Sequence, residues 1–178
     1  MNSPQFSCLD VGKEVLASSF DGCVYRYQEG ALERMLGKNP SMFNREAVSR
    51  IKQVGDYLYV SLVKGFLRIY KQGRKITEFE FEKGADSMAG KEGLFFFSFD
   101  NYLYKMEGEE IKASKSLKRY RKTNFIRNLQ LVREGRREKL VFLYDEDVYF
   151  LDTNLRTKLV KLAGEKNPQE TVWGIYCC

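Results

Sequence analysis

Four short stretches of this 178-residue chain share one pattern: alternating apolar and polar residues, a tight polar corner, and a second alternating run leaving it. The copies read SSFDGCVYRYQEG (Ser18 to Gly30), SLVKGFLRIYKQG (Ser61 to Gly73), FSFDNYLYKMEG (Phe97 to Gly108) and LYDEDVYFLDTN (Leu143 to Asn154). Alternation with a period of two is the mark of a half-buried strand. Columns persist across the copies. Val24, Leu67, Leu103 and Val148 each stand three residues after their corner begins, and Tyr27, Tyr70, Met106 and Leu151 three further on. Tyr25, Tyr104 and Tyr149 recur between them, with Arg68 in the second copy. Asp-Gly and Asp-Asn corners tolerate the positive φ of a primed hairpin turn, whose twist suits the strands it joins.

A second corner follows each first one, at Glu29-Gly30, Gln72-Gly73, Glu107-Gly108 and Thr153-Asn154. A further strand is expected upstream of each copy, beginning at Phe6, Val48, Ala85 and Phe125. The unit is therefore four short strands. First corners start at Asp21, Lys64, Asp100 and Asp145, giving steps of 43, 36 and 45 residues. A period near 40 built from four strands predicts an all-β β-propeller with one antiparallel sheet per blade. A plain meander or sandwich is the alternative. The expected layout is a single domain over 1–178, with blades near 6–45, 46–84, 85–122 and 123–165 and the start of a further strand at 170–178. Leu94 to Phe99 (LFFFSF) is the most apolar run, too short to span a bilayer and best read as a strand buried on both faces.

Composition fits that fold: 43% hydrophobic and 14% aromatic residues supply a core, with only 3 prolines. The opening residues lack the basic and apolar segments of a signal peptide, so the expectation is a cytoplasmic or nuclear protein away from membranes. Cys8, Cys23, Cys177 and Cys178 make no C-x-x-C spacing, and Cys8 and Cys23 read as small buried apolar residues. Histidine is absent. That removes Ser-His-Asp and Cys-His catalysis and His-ligated metals. No phosphate-cradling or dinucleotide-binding loop takes their place. Asp145, Glu146 and Asp147 are acids enough for a divalent cation, but they sit where a hairpin tip must be. No catalytic, cofactor or metal residue is therefore assigned.

Charge adds one feature. The net value is +6, and much of the excess lies between Lys112 and Lys139. Lys115, Lys118, Arg119, Arg121, Lys122, Arg127, Arg133, Arg136 and Arg137 form the candidate partner-binding patch, with Tyr120 and Phe125 interleaved. A shared basic rim there would suit RNA phosphates or an acidic protein surface. A solvated loop is the plainer reading of Lys118 to Lys122.

The repeats resemble degenerate WD40 repeats. Their corner survives at Asp21-Gly22 and Lys64-Gly65, while the Trp-Asp position holds Tyr27-Gln28, Tyr70-Lys71, Met106-Glu107 and Leu151-Asp152. Without histidine, the Gly-His dipeptide and the hydrogen-bonding tetrad built on it are missing. A narrower similarity joins Tyr144 to Asn154 and Thr171 to Ile175 to the diphthine methyl ester hydrolases of the diphthamide pathway. Those are WD40 propellers with a Tyr-Asp-Glu/Asp corner and a later Gly-Gly-Val-Trp-Arg. Here Asn154, Thr171 and Gly174 depart from that pattern, and no catalytic role carries over.

WD40 propellers usually close with about seven blades and the smallest have about four. Four blades and a stub allow a shortened propeller, a compact four-bladed ring, or a ring completed by a second copy or a partner. The expected function is a non-catalytic scaffold for protein partners, within a ribonucleoprotein or another multi-subunit assembly. Two alternatives are a diphthine methyl ester hydrolase-like enzyme acting on elongation factor 2, and an RNA-binding propeller in ribosome or tRNA maturation.

Overall fold

A computed structural model describes residues 5–37, 47–91, 93–99, 101–118, 126–144 and 147–162. All the regular structure among them is β-strand, in four antiparallel four-stranded sheets. The chain divides into two compact units, Met1–Ala85 and Asp86–Cys178. In the first unit, sheet one holds β1 (Phe6–Val11), β2 (Val15–Ser19), β3 (Val24–Gln28) and β4 (Ala31–Leu36), and sheet two holds β5 (Val48–Val54), β6 (Tyr57–Leu62), β7 (Phe66–Lys71) and β8 (Arg74–Glu80). In the second, sheet three holds β9 (Ser87–Lys91), β10 (Leu94–Phe99), β11 (Tyr102–Glu107) and β12 (Glu110–Ser116), and sheet four holds β13 (Ile126–Glu134), β14 (Arg137–Tyr144), β15 (Asp147–Asp152) and β16 (Val160–Lys161). Every sheet is a meander in chain order. Further strand structure at 170–178 lies outside the described residues.

The corners work differently from the sequence expectation. Positive φ at both central residues, the primed geometry, occurs at the second corners: Glu29 and Gly30 at 51° and 85°, Gln72 and Gly73 at 50° and 74°. At the first corner of sheet one, only Gly22 has positive φ, and its N–H donates to the Ser19 carbonyl. The side chain of Asp21 acts as a brace, its Oδ1 accepting from Cys23 N at 3.2 Å and from the Ser19 hydroxyl. Hydrogen bonding explains the aspartate better than tolerance of positive φ. Gly65 has a stricter reason to be glycine. With φ at 97°, a Cβ would stand 1.9 Å from the Phe81 carbonyl oxygen, where the end of β8 crosses the corner.

Alternation along the strands gives each sheet two apolar faces, and packing inside each unit uses them in one order. In the first unit, Leu16 and Val24 on one face of sheet one pack with Val48, Ile51, Leu58, Val60 and Leu62 on one face of sheet two. In the second, Ala89, Phe96 and Leu103 of sheet three pack with Leu140, Phe142, Tyr149 and Leu151 of sheet four. We call these the back face of the earlier sheet and the front face of the later one. The run Leu94–Phe99 is buried on both faces as expected, with Phe96 on the back and Phe95 and Phe97 on the front, all at 1% exposure or less.

Serines, not aliphatic residues, occupy one back-face position in three sheets. Ser18, Ser61 and Ser98 are cross-strand partners of Val24, Leu67 and Leu103, and all three are buried. The Ser18 and Ser61 hydroxyls lie 3.0 Å from those of Ser7 and Ser49, which sit at register shifts in β1 and β5. Ser61 Oγ also accepts from Ala85 N at 2.7 Å, and Ser87 Oγ accepts from Leu129 N at 2.9 Å. Ser61 and Ser87 thus bind a backbone group where the chain passes onward or where the next sheet begins, whereas Ser18 bonds to β1 of its own sheet, through the Ser7 hydroxyl and the Cys8 carbonyl. Buried hydroxyls keep partners, which makes the column affordable in the core.

Candidate functional site

Among the described residues, the basic candidates fall into two groups, toward the two ends of β13. At its start, Arg127 is opposite Leu143, near the end of β14. Lys115, opposite Leu103, and Lys118 lie toward the first corner of sheet three. The end of β14 and the start of β11 meet there, because the Tyr144 hydroxyl donates to Asn101 Oδ1 at 2.9 Å. Arg133, Arg136 and Arg137 are instead at the β13–β14 hairpin, where Glu134 pairs with Arg137. Six residues of strand separate Arg127 from Arg133, roughly 20 Å at strand rise. Arg119, Arg121 and Lys122, with Tyr120 and Phe125, lie outside the described residues.

Local chemistry separates the candidates further. Lys115 is half-buried, and its Nζ donates to the carbonyl oxygens of Thr157 at 2.8 Å and Leu155 at 3.3 Å. That ammonium ties β12 to the segment after β15. Lys118 is exposed, with Nζ 5.1 Å from the Tyr102 ring centre. At the hairpin, Lys139 pairs with Glu134 and lies 4.4 Å from the Phe150 ring centre. The hydrogen bond from Lys139 holds the Glu134 carboxyl below the usual range, with Arg137 adding to the effect. Arg133 Nε donates to the Gly135 carbonyl at 3.3 Å, while Arg127, Arg136 and Arg137 are exposed. The hairpin tip therefore presents guanidiniums to solvent beside two carboxylates, Glu134, already engaged by Lys139, and Glu138, the register partner of Arg133.

A cleft in the first unit was not foreseen. It opens between sheets one and two, beside the β1–β2, β5–β6 and β7–β8 turns, with a volume of about 680 Å³. Asp10 is its most buried acid, with a side chain 7% exposed. Its Oδ1 accepts from Lys52 Nζ at 2.6 Å, and its Oδ2 from Gln53 N at 2.8 Å. This carboxylate straps β1 to β5. Nearby, Arg26 Nε and Glu14 Oε2 are 3.3 Å apart, close enough for ion pairing but misaligned for a hydrogen bond. Lys13, Arg34, Glu33 and Asp56 complete a wall of mixed charge. Opposite signs balance around the cleft, so it selects no single ligand charge.

The sequence carried a signal for the serine column, since Ser18 and Ser61 each precede their corner by three residues and Ser98 by two. It carried none for Asp10 and Lys52, which are 42 positions apart and sit in unlike contexts. Cys23 is buried without a disulfide, and Cys8 is half-buried and likewise free. Burial pushes the Cys23 thiol up, which keeps it protonated and unreactive near neutral pH.

No protein-family model matches the sequence. No curated protein matches it either. Solved structures match its fold. The structure of U3-55K gives a TM-score of 0.67 at 8% identity, covering 90% of this chain and 52% of that one. BBS1N in complex with ARL6DN gives 0.64 at 13%, covering 88% and 55%. The WD40 β-propeller domain of Doa1 gives 0.63 at 11%, covering 90% and 55%. The chain spans about half the length of these structures. At such identities the likeness carries the fold alone, and that fold is a WD40-type β-propeller arrangement of four antiparallel sheets.

Proposed function

We propose that this chain is a non-catalytic interaction scaffold that presents propeller surfaces to protein partners in the cytoplasm or nucleus. One observation carries the reading: the fold matches WD40-type structures, among them a chain solved in complex with ARL6DN and one from the Mitotic Checkpoint Complex. Propellers offer stiff loops and edges on a rigid core, which suits docking. The absence of histidine removes the commonest general base from the chain's own chemistry.

Within this reading, the β13–β14 hairpin tip receives an acidic surface of the partner, through Arg133, Arg136 and Arg137. Lys118 and Arg127 form a second basic group, and Lys115 serves the fold. The test is capture with the purified chain as bait at low and high salt, with and without nuclease. The expected result is a defined protein partner whose capture resists nuclease and weakens with salt. Charge reversal at Arg133, Arg136 and Arg137 is expected to lower that capture by about tenfold or more. Capture abolished by nuclease would move the reading to RNA, and ester turnover by the purified chain would overturn it.

A further inference from the structure

Charge in the cleft between sheets one and two sorts into engaged and open groups. Asp10 is held by Lys52 and by the Gln53 amide, and Glu14 Oε2 stands 3.3 Å from Arg26 Nε. Lys13, Arg34, Glu33 and Asp56 also line the cleft, and among the described residues none of these four has an ion-pair partner. Two cations and two anions are thus left to solvent around one concave space.

Position separates the signs at one end of it. Lys13 sits in the turn between β1 and β2, on the sheet-one side, and Asp56 in the turn between β5 and β6, on the sheet-two side. Each lies three residues beyond the Asp10–Gln53 hydrogen bond that ties β1 to β5. The two turns therefore stand close together, one bearing a cation and the other an anion. Between the sheets the lining is more apolar, with Met35 and Leu36 of β4, Leu58 of β6 and Tyr70 of β7. A volume of about 680 Å³ is of the size that takes a small organic ligand. It corresponds to a span of roughly 9 Å, close to the length of about three extended residues.

We propose that this cleft binds a small apolar zwitterion of di- or tripeptide size, with its carboxylate toward Lys13, its ammonium toward Asp56 and its apolar body over Leu36 and Leu58. A ligand of one sign meets repulsion as well as attraction here. A ligand with both signs, one at each end, meets attraction at both, and its apolar middle displaces water from the lining. A neutral apolar molecule would instead take water from the open charges and give them no partner, which costs free energy. An internal segment of a partner protein lacks the two free ends, so the site reads chain termini. This binding is independent of the basic hairpin, which belongs to the second unit.

Calorimetric titration of the whole chain with free trileucine and its end-blocked forms tests the site. Free trileucine should bind and raise the thermal midpoint of unfolding. Blocking both ends, by acetylation and amidation, should weaken binding about tenfold or more. Two exposed-site variants assign the ends. Lys13→Glu and Asp56→Lys should each weaken binding of the free peptide by roughly fivefold, with the circular dichroism spectrum of the unliganded chain unchanged. The Lys13→Glu loss should disappear when the peptide carboxylate is amidated, and the Asp56→Lys loss when its amine is acetylated. No binding of free trileucine at millimolar concentration would overturn the inference, as would equal binding of the doubly blocked peptide. A loss that persists in either variant with the matching end blocked would overturn the assignment of the ends.

Discussion

The front faces of sheets one and four are built from strands of the same type and meet opposite fates. In sheet four the face is large and aromatic, with Leu140, Phe142 and Tyr144 fully buried and the Tyr144 hydroxyl donating to Asn101 and to the Leu117 carbonyl. In sheet one it carries Tyr25 and Tyr27 beside Leu9 and Val11, with Leu9, Val11 and Tyr27 mostly exposed. The difference lies in the neighbour. Strand alternation makes two apolar faces in every sheet, and burial follows only where another sheet arrives. Sequence pattern thus reports capacity for packing, while the order of sheets decides which capacity is used.

The largest effect should come from breaking the closed face. Phe142→Ala removes a fully buried ring between sheets three and four and is expected to cost about 3–5 kcal/mol, read from denaturant unfolding. Next is the polar strap behind the open sheet. Asp10→Ala leaves Gln53 N and Lys52 without their carboxylate, for an expected loss of about 1.5–3 kcal/mol by the same measurement.

A smaller effect is expected at the outer strands. The hydrogen bond from Arg68 holds the Glu78 carboxyl below its ordinary value of 4.5, against a raising effect of burial. A depressed folded value means the pair stabilises fully above the unfolded value, and that stabilisation fades as pH falls below about 4.5 through the folded one. Glu78→Gln should therefore flatten the acid side of the stability–pH profile. Leu9→Lys should be the mildest to the fold, within about 0.5 kcal/mol, since the site is already open to water. Together, Phe142→Ala and Leu9→Lys measure the contrast between the closed and the open front face.

The repeat was legible because turns and alternation are local. Corners at Asp21 and Lys64, the aromatic columns and the doubly buried Leu94–Phe99 each follow from residues within one hairpin. The twist of the corners was misplaced, because Asp-Gly permits two turn solutions and the Asp21 side chain selects between them by bonding Cys23. The basic patch was harder to read. Clustering along the chain does not become clustering in space when a nine-residue strand runs between Arg127 and the Arg136 turn. Lys115 shows a second limit, since an ammonium satisfied by two carbonyls looks the same in sequence as one waiting for a ligand. The cleft strap and the face order depend on which sheet follows which, and no local pattern contains that.

The central claim is that each packed pair joins the back face of one sheet to the front face of the next. A double-mutant cycle tests it most directly. Phe96 and Phe142 share the core between sheets three and four, whereas Phe97 points to the opposite face of β10. The account predicts a coupling of about 0.5–3 kcal/mol between Phe96→Ala and Phe142→Ala, and additivity within about 0.5 kcal/mol between Phe97→Ala and Phe142→Ala. Coupling through Phe97 and none through Phe96 would contradict the face order.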